Sequence, residues 1–201
     1  MTAGGVVLCG GRSTRMGSSK ALLPFGAEVM LQRVVRLLGS VVSPLVVVAA
    51  AAQPLPALPG AITIAHDERE NCGPLEGLRA GLSALPAAID AAYVTSCDVP
   101  LLVPAFAARM VQLLGDYDVA VMEVDGLAHP LSAVYRRRTL PHIESQLAAG
   151  RLRIGDLFDA VKTRRVRPEE MIAVDPELAT LRNLNTPEDY RRALAGIGPT
   201  G

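Results

Sequence analysis

GVVLCGGRSTRMGSSK, residues 5–20, is the stretch from which the architecture is read. GVVLC, residues 5–9, is an unbroken aliphatic run, the pattern of a strand covered on both faces rather than one with a solvated side. Gly10 and Gly11 follow at once, where a chain leaving a strand of an α/β fold can offer backbone N–H groups to an anion without side chains in the way. Arg12, Arg15 and Lys20 then bring positive charge, and Ser13, Thr14, Ser18 and Ser19 bring further donors, a set suited to a triphosphate. This is not a P-loop: Lys20 stands three residues past Gly17, where GxxxxGK[ST] needs them adjacent, and GxGxxG spacing is absent too.

Working outward, the same kind of run recurs as PLVVVAA (44–50), AITIA (61–65) and AAYVTSC (91–97). Helical patterns separate these runs. Residues 29–39 place Met30, Val34, Leu37 and Leu38 on one face; residues 74–85 repeat Leu75, Leu78, Leu82 and Leu85; residues 104–116 open on Pro104 and close at Gly115. Strand and helix in alternation predict a three-layer, Rossmann-like α/β sandwich with a mostly parallel sheet, and ligands beyond the carboxyl ends of its strands. Further on, 117–126 and 129–136 read as strands close enough to pair, so an antiparallel strand, or a small β lobe, belongs to the second half. GRLRIGDLFDAV (150–161) reads as a helix with Leu152, Leu157, Phe158 and Val161 in the core. A last helix starts at Thr186 as N-cap with Pro187, Glu188 and Asp189 in its first turn. The 201 residues show no repeat or linker and are taken as one domain, 1–201.

Composition removes several functions. Lys plus Arg and Asp plus Glu are 20 each, so no global field draws in nucleic acid or an anionic membrane. Aromatic residues are 3% and tryptophan is absent, leaving few platforms for stacking bases. The most apolar window, residues 45–52, is far short of the ~20 residues that cross a bilayer. Cys9, Cys72 and Cys97 form no C-x-x-C pair and no signal sequence is visible, which reads as a cytoplasmic chain with reduced thiols.

Two carboxylates end predicted strands on the side where the basic loop emerges: Asp67 after AITIAH and Asp98 after AAYVTSC. Either could cap a turn. A triphosphate beside a carboxylate, however, calls for Mg2+, a hard cation held by one or two carboxylates and by phosphate oxygens. Together these point to nucleotidyl transfer. His66, His129 and His142 lack metal spacing and read as surface or capping residues. The basic runs 136–138 and 164–165 read as solvated faces more readily than as anion sites.

Leu8, Gly10, Gly11, Ser13, Arg15, Met16, Gly17 and Lys20 spell L-x-G-G-x-S-x-R-M-G-x-x-K, which resembles the signature of nucleotidyltransferases with the nucleotide-diphospho-sugar transferase fold. Asp67 before CGPLEG (72–77), CDVP (97–100), His129 with Pro130, and NLNTPEDY (183–190) follow in the order found in the molybdenum cofactor guanylyltransferases, so the resemblance spans residues 5–194. It implies transfer of GMP from GTP to molybdopterin cofactor with Mg2+, giving the guanine dinucleotide and pyrophosphate. Carried over, Leu8, Cys9, Gly10 and Gly11 line the nucleotide, Lys20 and Arg15 meet phosphate, Asp67 contacts the nucleotide, and Asp98 holds the metal. His129, Asn183 and Asn185 fall on the side of the second substrate. The resemblance also implies other proteins of molybdenum cofactor biosynthesis, or chaperones of its target enzymes, as partners.

One departure bears on the base. Some family members carry an asparagine at the end of the second strand that contacts the nucleotide, and this chain has Ala49, Ala50 and Ala51 there. CTP as donor, a sugar-phosphate acceptor, and a non-catalytic nucleotide-binding module remain open alternatives at this point.

Overall fold

The computed structural model describes residues 2–9, 20–69 and 72–196. The first strand, β1 (Ala3–Leu8), is buried along its whole length. Beyond the glycine-rich loop, which lies outside the described residues, a short hairpin, β2 (Pro24–Phe25) and β3 (Glu28–Val29), leads into α1 (Met30–Gly39). Next come β4 (Leu45–Ala49), β5 (Thr63–His66), α2 (Gly73–Ala84), β6 (Ala91–Ser96) and α3 (Pro104–Leu113). The second half holds β7 (Val119–Val124), β8 (Leu127–Arg136), α4 (Leu140–Ala148), a one-turn α5 (Leu157–Ala160), β9 (Thr163–Val166) and α6 (Pro187–Gly196).

Seven strands form one sheet in the order β5-β4-β1-β6-β8-β7-β9. All neighbours pair in parallel except β8, which is antiparallel to both β6 and β7. The expected antiparallel strand is therefore β8, and no separate β lobe is present among the described residues. Asp125 and Gly126 turn β7 into β8 with φ of 50° and 75°, the left-handed pair that a tight hairpin needs.

Helices cover both faces. Leu31, Val34 and Leu38 of α1 and Phe106, Ala107 and Met110 of α3 pack with Val7, Val47 and Tyr93 on one side. Leu75, Leu78 and Leu82 of α2 pack with Val6, Val48 and Val94 on the other, beside Ile143 of α4 and Phe158 of α5. Gly81 lets α2 lie against β1, since a methyl group there would overlap Val6 Cγ1. Burial on both faces explains the unbroken apolar runs; β5 departs from it, exposed because it is the sheet's edge.

Residues 150–161 depart from the helical expectation. Leu157 and Phe158 are buried, but Leu152 is 38% exposed and the helical part of the segment shrinks to a 3-10 turn, Ile154–Asp156, and α5. Among the described residues no helix is long and apolar enough to cross a membrane.

The chain lays β4 and β5 to one side of β1 and β6 to the other. That reversal opens a crevice at the carboxyl ends of β1 and β6, the place where open α/β sheets take ligands.

Candidate active site

At the crevice three strand ends are tied together: the Cys97 N–H, after β6, donates to the Leu8 carbonyl of β1 at 3.0 Å and the Cys9 N–H, after β1, to the Val48 carbonyl of β4 at 2.7 Å. Leu8 is only 7% exposed, its side chain packed beneath Gly77 of α2, and Cys9 and Cys97 are buried too. What these positions can offer a ligand is backbone. A hydrogen bond with Cys97, together with burial, pushes the Cys9 thiol far up, which removes it as a nucleophile. Gly10, Gly11 and Arg15 lie outside the described residues.

Asp98 follows β6 by two residues, and its carboxylate is divided between two partners. Oδ1 accepts the hydroxyl of Ser96, and Oδ2 lies 3.0 Å from the ammonium of Lys20. The same ammonium donates to Asn185 Oδ1 at 2.8 Å. Three residues far apart in the chain thus meet at one point, and both ends of the ion pair are mostly shielded, with side-chain exposures of 17% and 15%.

Their meeting is enforced from three directions. The Leu184 N–H donates to the Asp98 carbonyl at 2.9 Å. Arg33 of α1 donates to the Pro100 carbonyl at 2.9 Å, and the Val103 N–H donates to Thr180 Oγ1 at 3.1 Å. The Thr180 hydroxyl in turn donates to the buried Asp175 at 2.7 Å. A small separate core of Phe25, Met30, Leu184 and Ala193 docks α6 on the β2–β3 hairpin. Thr186 begins α6 as expected, through reciprocal bonds with Asp189.

Asp67 lies at the same edge of the sheet, but β4 and β1 stand between β5 and β6, so the two strand ends are about 14 Å apart at ordinary strand spacing. Asp67 Oδ1 is buried with no hydrogen-bond partner among the described residues. Burial first, and then the neighbouring Glu76 charge, push its carboxyl above the usual aspartate range. Glu76 is 1% exposed; Arg79 grips it through two nitrogens, at 2.8 and 3.0 Å, and the Glu68 N–H donates to it at 3.3 Å. That cluster ties the loop carrying Asp67 to α2.

His129 sits where β8 bulges: Met122 pairs with His129 and Val121 with Ala133, leaving Pro130–Ser132 without β7 partners. Desolvation lowers the His129 pKa, favouring the neutral ring. The Tyr135 hydroxyl donates to the Pro130 carbonyl at 2.7 Å and pins the bulge. No hydrogen bond among the described residues joins His129 to the Lys20 group, and Asn183 is exposed beyond Leu184.

Other residues of the site escaped the sequence reading. Ser96 had a signal, since positions two apart on a strand share a side. Gln53 had none: four residues past β4, it donates its amide to the Cys9 carbonyl at 3.0 Å and so places a carboxamide near the alanines at 49–51. The basic run 136–138 is not a free face. Arg137 donates to the Ser83, Leu85 and Pro86 carbonyls at the end of α2, Arg136 to the Gly115 carbonyl after α3, and Arg138 pairs with Asp118. Arg164 and Arg165 pair with Glu170 and Glu123.

No group of three or more metal-binding side chains occurs among the described residues. Asp98 and Asn185 still fit a hard cation, because their oxygens converge on one positive charge and a metal of this class takes its remaining ligands from phosphate and water.

A family model of the MobA-like NTP transferase domain matches residues 5–163. The chain belongs to the MobA-like NTP transferases. A molybdenum cofactor guanylyltransferase from Desulfosudis oleivorans is 34% identical to this MobA-like chain over 195 residues, 96% of this chain and 95% of that protein. Among solved structures, molybdopterin-guanine dinucleotide biosynthesis protein A from Archaeoglobus fulgidus superposes with a TM-score of 0.79 at 20% identity, covering 96% of this chain and 97% of that one. A 4-diphosphocytidyl-2C-methyl-D-erythritol synthase from Anaerococcus prevotii reaches 0.71 at 12% identity, covering 97% and 95%. The mostly parallel α/β fold read in the sequence is the one these neighbours share with this MobA-like chain.

Proposed function

We propose that the chain, acting as one domain over residues 1–201, transfers GMP from GTP to molybdopterin cofactor, giving molybdopterin guanine dinucleotide and pyrophosphate. The observation that carries this reading is the convergence of Lys20, Asp98 and Asn185 at the switch point of the sheet, in a chain 34% identical to a named guanylyltransferase across nearly its whole length. A terminal phosphate oxygen of the pterin attacks the α-phosphorus of GTP, and the bond to the bridging β-phosphate oxygen breaks, its electron pair leaving with pyrophosphate. The attacking oxygen is already anionic at neutral pH, so the protein needs no nucleophile of its own.

What remains for the protein is positioning and charge neutralisation. Lys20, with Arg15, takes up charge on the phosphates, and Gly10 and Gly11 supply backbone donors. Asp98 would hold Mg2+, and Asn185, which the resemblance set on the second-substrate side, would join it there because it shares Lys20 with Asp98; the ion would supply Lewis-acid stabilisation of phosphate charge. Asp67 reads part of the nucleotide, while neutral His129 and Asn183 face the pterin side. Other proteins of the molybdenum cofactor route would hand over the pterin or take up the product.

Asp98→Asn tests the reading. The substitution keeps the shape and the hydrogen bond from Ser96 but loses the charge, so product formation should fall by about 100-fold or more while the circular dichroism spectrum is unchanged. Full turnover in that variant rejects the assignment. Supplying GTP and CTP together with molybdopterin, and identifying the dinucleotide by mass, decides the base; a cytosine product would replace GTP as the donor.

A further inference from the structure

Lys20 stands where a divalent cation would be expected. Its ammonium is held by one carboxylate oxygen, Asp98 Oδ2 at 3.0 Å, and one carboxamide oxygen, Asn185 Oδ1 at 2.8 Å. The Ser96 hydroxyl occupies Asp98 Oδ1, so the oxygen pointing at Lys20 is the one left for a cation. Oxygen donors of this kind, few in number and completed by phosphates, suit a hard divalent ion as well as they suit an ammonium.

We propose that Lys20 is the resident counter-ion of the nucleotide-free site, keeping the metal's place on Asp98 until a triphosphate draws it away. This rests on Asp98 being the metal ligand. A divalent ion arriving alone meets an ammonium already seated on the carboxylate, and the two positive charges repel at close range behind a partly shielded wall. An ion arriving on a triphosphate brings oxygens to which Lys20 can donate instead, so Lys20 moves from carboxylate to phosphate and Asp98 is freed for the ion. Asn185 provides the second point of the resting cradle. Its place is fixed by its neighbour Leu184, which is buried in the small core and bonded to the Asp98 carbonyl. Metal and nucleotide therefore load together. A plain surface ion pair would predict a small loss of stability on removing Lys20 and no effect on metal affinity.

The test is Mn2+ binding to nucleotide-free protein, followed by electron paramagnetic resonance of the free ion. Wild type should bind Mn2+ weakly. Lys20→Met and Lys20→Gln, the second keeping a donor for Asn185, should each bind it at least tenfold tighter, and the gain should vanish when Asp98→Asn is added. Variants that bind Mn2+ no better than wild type overturn the proposal, as does a gain that survives loss of Asp98. Circular dichroism of each variant checks that it is folded, and the two neutral replacements back each other up. Wild type and Asp98→Asn, each with a non-hydrolysable GTP analogue, separate the two readings. If Mn2+ uptake there does not depend on Asp98, the metal assignment falls and this proposal with it. If uptake depends on Asp98 yet the Lys20 variants show no gain without nucleotide, the metal assignment stands and only the placeholder role is lost.

Discussion

Asp67→Asn should make the free protein more stable at neutral pH while weakening its hold on nucleotide. The carboxylate directly follows β5, with Oδ1 buried and lacking any hydrogen-bond partner among the described residues. Burial, and after it the charge of Glu76, raise its pKa; the attractions of Arg79 and His66 act the other way and are outweighed. Arg79 already has Glu76 and Glu68 as partners, so it loses little when the Asp67 charge goes. An unsatisfied buried polar atom costs about 1–3 kcal/mol, and more when charged. Replacing the charge by a neutral amide of the same shape should recover about 1 kcal/mol of that, or about 2–4 °C in Tm for a chain of this size. The sign with pH follows from the raised value. The folded protein holds the proton more tightly than the unfolded chain, so the contribution of Asp67 is most favourable in acid and is lost as pH rises through the ordinary carboxylate range and past the folded value. The advantage of Asp67→Asn should accordingly be full at neutral pH and shrink towards nothing in acid. Thermal unfolding followed by circular dichroism at a series of pH values measures this, and calorimetric titration with GTP measures the cost in binding. A variant less stable than wild type at neutral pH, or an advantage that does not change with acidification, would refute the reasoning.

Two further substitutions probe the frame around the site. Gly81→Ala places a methyl group over Val6 Cγ1 and 3.2 Å from Val48 Cγ2. Overpacking of about 1–3 kcal/mol should exceed the ~1 kcal/mol that alanine gains over glycine in a helix, lowering the urea midpoint. Arg137→Ala releases the three carbonyls at the end of α2. A loss of about 1–2 kcal/mol in urea unfolding is expected, with activity per folded molecule unchanged. Lysine should restore little of it, because a point charge does not reproduce the guanidinium fork. Lost activity at intact stability would instead return Arg137 to the role of an anion site.

The layers were legible because two-faced burial writes itself into the sequence as unbroken aliphatic runs: Val6 and Val7 of β1, Val46–Val48 of β4 and Ala91–Val94 of β6 are all buried. Asp98 was legible because it ends such a run. β9 was not, since Arg164 and Arg165 at a sheet edge make ion pairs rather than core and, with Thr163, resemble a charged loop. The segment 150–161 misled for the opposite reason: its apolar spacing suits a helix, yet Gly150 takes a φ of 67° and only a 3-10 turn and one α turn form, from Ile154 to Ala160. Arginines 136–138 looked like a free basic face because no sequence pattern shows which carbonyls a side chain will reach. Gln53 belongs to the same class, and so does the contact of Asn185 with Lys20, a residue the resemblance implied only for the side of the second substrate. Their importance comes from where loops return, which periodicity does not encode.

The site's geometry depends on the smallest of the three cores. Lys20 precedes Phe25 by five residues and Asn185 follows Leu184 directly, and Phe25 and Leu184 lie in the same cluster with Met30 and Ala193. Tyr190 of α6 donates its hydroxyl to the Pro24 carbonyl, and its ring stands 6.4 Å from that of Phe25. Arg33, with its guanidinium 5.2 Å from the Phe25 ring, also holds the Pro100 carbonyl just beyond Asp98. One patch of packing thus sets the positions of the ammonium, the carboxamide and the carboxylate together. Long polar side chains lose rotamer freedom on being fixed, a cost better met by a shared rigid support than by three independent ones. It also accounts for a last helix that belongs to this cluster and to neither face of the sheet: α6 packs on the hairpin leading from Lys20, and so holds Asn185 and Lys20 in register with the end of β6.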